Sequence, residues 1–320
     1  MNAWLTVLWI FLLALPVGWV VSALAAGMLA RLPLDQRLDP AARIRRVYLV
    51  ALLPWAAPLV FLLALAAPAA AKPLGLIADH CLSHGIGHPH LCLEHLPAVA
   101  LAHWHWLVLL LAAIWFGLMA IRHTMVRRRA DSQLRTMACL AQGRGRLRVL
   151  ESPDCVAFAA DPGRPFVLIS RGLLERLGPR ERRIVLAHET THLRHRDPAQ
   201  SRWLECLLLA HWPSGAARLR RAWHQAVEER ADDSVATRFG AEHVARTIVE
   251  VARATAGRDV PALSAAGADT LRRVERLLSI RAPVSPPPVY EVVYGTALAA
   301  LACVIAGSHH AIETLLGVLM

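Results

Sequence analysis

Five consecutive residues, His188-Glu189-Thr190-Thr191-His192, have the types and spacing for metal-assisted hydrolysis. On a helix, positions i and i+4 share a face, so both imidazoles can reach one divalent ion. Glu189 lies beside that face, within reach of a metal-bound water whose proton it can accept. So short a pattern also arises by chance. Here it follows the apolar helical run Ile184 to Ala187 and precedes a polar break at Asp197-Pro198, the context a helical ligand pair requires. The expected cofactor is one Zn²⁺ ion.

A hydrolytic zinc site takes three protein ligands and leaves one position open. His195 is near, but the extended HExxHxxGxxH pattern needs a histidine at position 198, where the chain has Pro198. His195 therefore reads as a solvated helix-end cation. Further along, Glu228-Glu229-Arg230-Ala231-Asp232-Asp233 places four carboxylates in six positions. A glutamate there completes a His₂Glu set, and an aspartate four residues later can orient a ligand imidazole. Glu228 with Asp232 and Glu229 with Asp233 both fit, and spacing does not choose between them. The bland alternative, a solvated acidic face, suits a basic chain poorly.

The elements that must hold these groups are largely apolar. The chain has 320 residues, 56% of them hydrophobic and only 18% charged, with mean hydropathy +0.40. That composition predicts a membrane protein with about two structural units. Apolar runs at about 3–30, 47–71, 98–121 and 292–307 are each long enough, or nearly so, to cross a bilayer. The first is a retained helix rather than a signal peptide, since no Lys or Arg precedes Val21. Net charge is +11, from 35 Lys+Arg against 24 Asp+Glu. The arginines cluster after the first and third runs, at Arg31, Arg37, Arg43, Arg45, Arg46 and at Arg122, Arg127, Arg128, Arg129. The positive-inside rule then puts the N-terminus outside and the segment from about 122 to 288 in the cytoplasm. No recognition helix, finger or aromatic-basic platform supports nucleic-acid binding.

Within that cytoplasmic segment three strand-like pieces appear, 146–150, 155–159 and 166–169, separated by turns at Ser152-Pro153-Asp154 and Asp161-Pro162-Gly163. Helical patterns follow, the first opened by Gly178-Pro179 and carrying His188, others near 199–212, 216–239, 241–256 and 269–280. The expected organisation is three membrane helices over 1–121, a peptidase-like domain over 122–288 and a last membrane helix over 289–320. A loop at 72–97 carries His80, Cys81, His84, His88, His90, Cys92 and His95. Its ligands suit copper or zinc. A Cys81–Cys92 disulfide or plain interfacial histidines are the alternatives.

Several stretches together resemble the BlaR/MecR-type integral-membrane metallopeptidases. They are Pro165-Phe166-Val167-Leu168-Ile169, Gly172-Leu173-Leu174-Glu175 and Val185-Leu186-Ala187-His188-Glu189, with His192, Arg196, Asp197, His211-Trp212 and a later Glu-x-Ala-x-Asp element. The resemblance spans roughly residues 120–240 and implies an α-helical membrane protein with an inserted α+β zincin-like domain and about four transmembrane helices. Aligned to that family's Glu-Leu-Ala-Cys-Asp-Ser pattern, it selects Glu229 as the third metal ligand and Asp233 as its supporting partner. It also implies a bacterial cytoplasmic membrane and cleavage of a protein such as a transcriptional repressor. The resemblance does not extend to the penicillin-binding domain of the family's sensor members, so β-lactam sensing through such a domain is not expected, and His211-Trp212-Pro213-Ser214 departs from the family's His-Trp-Phe-Asn-Pro.

The expected reaction is peptide-bond hydrolysis with Glu189 as base and His211 as a candidate oxyanion or substrate contact. The strand near 155–159 would pair with an extended substrate backbone. Two other functions fit the same residues. One is a quality-control protease similar to the HtpX class; the other is a non-catalytic membrane metal sensor.

Overall fold

The long apolar runs become long helices. A computed structural model describes residues 3–31, 39–71, 74–76, 103–143, 145–256, 265–279, 289–308 and 311. The fold is mostly helical around one small sheet. The His/Cys-rich loop, with His80, His84, His88, His90 and His95, lies outside the described residues. Helices α1 (Ala3–Leu29), α2 (Pro40–Ala71) and α3 (His103–Leu140) come first, and α10 (Val289–Gly307) packs back on α2. Among the described residues, two helices are long and apolar enough to cross a membrane, Pro40–Pro68 and Trp106–Leu140. Shorter apolar stretches, Gly18–Leu29 and Glu291–Gly307, lie in α1 and α10. Leu107, Leu110, Leu111, Ile114 and Leu118 of α3 are exposed, a face apolar enough for lipid.

The boundary expected at 121/122 falls inside α3. No Gly or Pro interrupts the chain between Gly117 and Gly143, so the arginine-rich run continues the helix. The far end of α3 then packs Leu134 and Ala138 on Phe158, Ala160, Phe166 and Leu168 of the sheet.

The sheet has strands β1 (Leu147–Leu150), β2 (Ala157–Ala160) and β3 (Phe166–Ser170) in the order β1-β3-β2. Strand β3 is central and buried throughout, parallel to β1 and antiparallel to β2. Strand β2 is left as an edge. Ser170 caps the short helix α4 (Arg171–Arg176) by accepting from the Leu173 N–H. Gly172 is required there: a Cβ would sit 2.1 Å from the Pro153 carbonyl oxygen, closer than atoms can approach.

Gly178 and Pro179 start α5 (Pro179–Arg194), because a proline in the first turn loses no hydrogen bond. Arg196 adopts a left-handed φ of 57°, turning the chain sharply into α6 (Asp197–Leu208). Then follow α7 (Pro213–Phe239), α8 (Ala241–Ala256) and α9 (Ala265–Leu278). Ala216, Leu219, Trp223, Ala226 and Val227 form an apolar stripe on α7 at helical spacing. It buries against Ile44, Val47 and Ala51 of α2 and Leu204 and Leu208 of α6. Hydrophobic burial thus fixes α7 to the first turns of a membrane-type helix.

The α6–α7 elbow is held by donors from the apolar helices. Trp19 Nε1 donates to the Ala210 carbonyl at 2.8 Å and Trp55 Nε1 to that of Leu207 at 2.9 Å. His211 is buried and its Nε2 pairs with the Ala51 carbonyl at 3.0 Å. Expected as an oxyanion or substrate contact, it does not line the cleft that holds His188 and His192; the ring braces the elbow against α2.

Candidate metal centre

Helix α5 presents His188 and His192 one turn apart, their rings edge to face at 4.8 Å between centroids. Their Nε2 atoms are 3.1 Å apart. Glu228 of α7 completes the group: its Oε2 is 3.3 Å from His188 Nε2 and its Oε1 is 3.6 Å from His192 Nε2. Ligand atoms about 2.0–2.1 Å from a tetrahedral ion lie about 3.3 Å from one another. The His188–His192 and His188–Glu228 separations lie near that edge length, one ligand atom from each of the three residues lies within 4.8 Å of the others, and the donor set, two imidazoles and a carboxylate, is the one zinc takes in hydrolases. The residues fit the ion.

The remaining ring nitrogens are both occupied. His188 Nδ1 lies 3.2 Å from Asp232 Oδ1, and His192 Nδ1 lies 2.8 Å from Asp197 Oδ2. An aspartate on Nδ1 makes that nitrogen the donor and leaves the Nε2 lone pair for a metal. Asp197 reaches His192 because the left-handed turn at Arg196 sets it at the first position of α6. Each aspartate is in turn held by an arginine. Arg230 pairs with Asp197, and Arg273 of α9 forks onto Asp232 at 2.7 Å through both Nε and Nη2. Arg273 Nη1 also lies 3.1 Å from Glu228 Oε2.

Glu229 and Asp233, expected as third ligand and its partner, are elsewhere. Glu229 is buried against Arg43 of α2, with Arg276 Nε at 3.1 Å and Gln225 at 3.3 Å. Asp233 is forked by Arg276 at 2.6 Å. Glu228 and Asp232, the other pair that the spacing allowed, are the ones that stand beside the two imidazoles. One residue of helix is a rotation of about 100°, so the two registers leave α7 on different flanks of its apolar stripe. Only the flank with His224, Glu228 and Asp232 turns toward α5. His224, one turn before Glu228, was the available signal in the sequence. Arg273 had none, because nothing in α9 announces what it touches.

These groups line a cleft of about 1290 Å³ between β2 and helices α5, α7, α8 and α9. Val244, Ile248, Val251 and Val274 give it an apolar wall. Glu189 opens onto it, beside edge strand β2, whose residues Ala157 to Ala159 line the same cleft. Burial raises the Glu189 carboxyl above its ordinary range, partly offset by His188 and His192. Without metal, burial disfavours charge on His188, but hydrogen bonds to Asp232 and Glu228 outweigh it and push it up to about 10. Glu228 moves oppositely: burial would raise it, yet His188 and Arg273 hold it well below the usual carboxylate range. Burial lowers the His224 imidazole, so it is neutral at pH 7. His195 caps the exposed end of α5 and does not line the cleft.

No curated protein and no solved structure matches the chain. One family model does, and it supports the resemblance read from the sequence at the level of a metallopeptidase, not at the level of the BlaR/MecR type. Residues 124–212, which contain the sheet, α5 and α6, match peptidase family M48, a metallopeptidase family.

Proposed function

We propose that this chain is a membrane-anchored zinc metalloendopeptidase. The observation that carries the reading is the grouping of His188, His192 and Glu228, whose ligand atoms lie within 4.8 Å of one another, facing a cleft with Glu189 on its rim. Zinc held there would polarise the scissile carbonyl and lower the pKa of a bound water toward neutrality. Glu189 accepts the water's proton and returns it to the leaving amine, a role its raised affinity for protons suits. The outer edge of β2, at Ala157 to Ala160, pairs with an extended substrate backbone. His224, neutral and on the cleft wall, replaces His211 as the candidate contact for the developing oxyanion.

The apolar helices anchor the enzyme in a bacterial cytoplasmic membrane, with the cleft on the arginine-rich, cytoplasmic side. The substrate is a protein: a dedicated repressor in regulated proteolysis, or many damaged membrane proteins in HtpX-like quality control, which the M48 match also accommodates. Glu189→Gln separates hydrolysis from metal binding. In detergent-purified protein it is expected to lower cleavage of an unstructured reporter peptide by at least ~100-fold, with zinc content unchanged. Undiminished cleavage would remove Glu189 from the reaction.

A further inference from the structure

We propose that Arg273 of α9 is a positioning residue for the metal centre, setting the geometry of both His188 and Glu228. This rests on the zinc-site reading above. Asp232 is almost fully buried, and its carboxylate plane is fixed from one side by the Arg273 fork at 2.7 Å through Nε and Nη2. From the other side it meets His188 Nδ1 at 3.2 Å. A guanidinium fork fixes a carboxylate's orientation as well as its position, which an ammonium does not. The third Arg273 nitrogen lies 3.1 Å from Glu228 Oε2, so one side chain steadies a ligand directly and another through its aspartate.

The charge balance needs it too. Glu189, Asp197, Glu228 and Asp232 crowd one site, and Arg273 and Arg230 are the guanidiniums that meet the two ligand-orienting aspartates. Arg230 is built into α7, beside Glu228. Arg273 comes from another helix, so the alignment of His188 depends on α9 being docked. The neighbouring Arg276 makes the same kind of fork on Asp233, one residue off the ligand register, and provides a matched control.

The test uses the full chain in detergent, with Zn²⁺ affinity measured by chelator competition and the visible spectrum of the Co²⁺-loaded protein. Arg273→Lys keeps the charge but cannot fork. It is expected to weaken zinc binding by ~10-fold or more and to shift the cobalt bands. Arg276→Lys is expected to leave both unchanged, even if its melting temperature falls as far. Equal effects from the two variants, or none from Arg273→Lys, would overturn the proposal while the zinc site stands. A wild-type chain that binds no Zn²⁺ would instead overturn the site itself.

Discussion

Glu228 and Glu229 are chain neighbours with unlike surroundings, and removing each should fail differently. Glu228→Ala takes away a ligand while α7 keeps its apolar stripe, so the protein is expected to fold and to lose its zinc. Glu229→Ala leaves Arg43 buried without its carboxylate. Breaking a buried pair costs about 3–5 kcal/mol, so a large fall in melting temperature is expected, with zinc retained by what stays folded. Zinc lost from Glu229→Ala and kept by Glu228→Ala would restore the other register. His188 adds a pH dependence. In metal-free protein its raised proton affinity stabilises the fold fully below about 6.5, and that contribution is lost as pH rises through about 10. Melting of chelator-treated protein across that window is expected to show the loss in wild type and not in His188→Ala. His188, His192 and Glu189 were legible because a helix turn fixes their geometry locally. The third ligand was not, because the choice between adjacent carboxylates depends on which flank of α7 meets α5.

At the scale of elements, β2 does two things: its inner edge pairs with β3, and its outer edge faces the cleft. Ala159→Pro removes a backbone N–H beside Glu189 and blocks pairing on the outer side. A proline is tolerated on an edge strand, so the variant is expected to fold and bind zinc while cleavage falls at least ~10-fold. Full activity would show that neither the strand edge nor that N–H matters. Gly172→Ala puts a methyl into the Pro153 carbonyl. It is expected to lower the melting temperature by displacing the 152–154 turn or α4, and an unchanged melt would contradict that packing. The strands were legible from their turn residues, and α5 from Gly178-Pro179. The length of α3 was not, since hydropathy falls at Arg122 while helix propensity does not. His211 carries no local sign of its partner, the Ala51 carbonyl, which is 160 positions away.

On the scale of the whole molecule, the metal helix α7 is bolted by its core stripe and by Glu229–Arg43 to the start of α2. The apolar helices and the candidate metal centre are therefore packed together, and on the proposed reading the chain is expected to stay in the pellet after carbonate extraction of membranes. Release into the supernatant would refute the membrane reading. The most direct measurement of the central claim is anomalous diffraction at the zinc edge from zinc-loaded crystals. One ion is expected within about 2.0–2.2 Å of His188 Nε2, His192 Nε2 and a Glu228 oxygen, its fourth position open to the cleft. An ion bound by Glu229, or closed off by a fourth side chain, would contradict it.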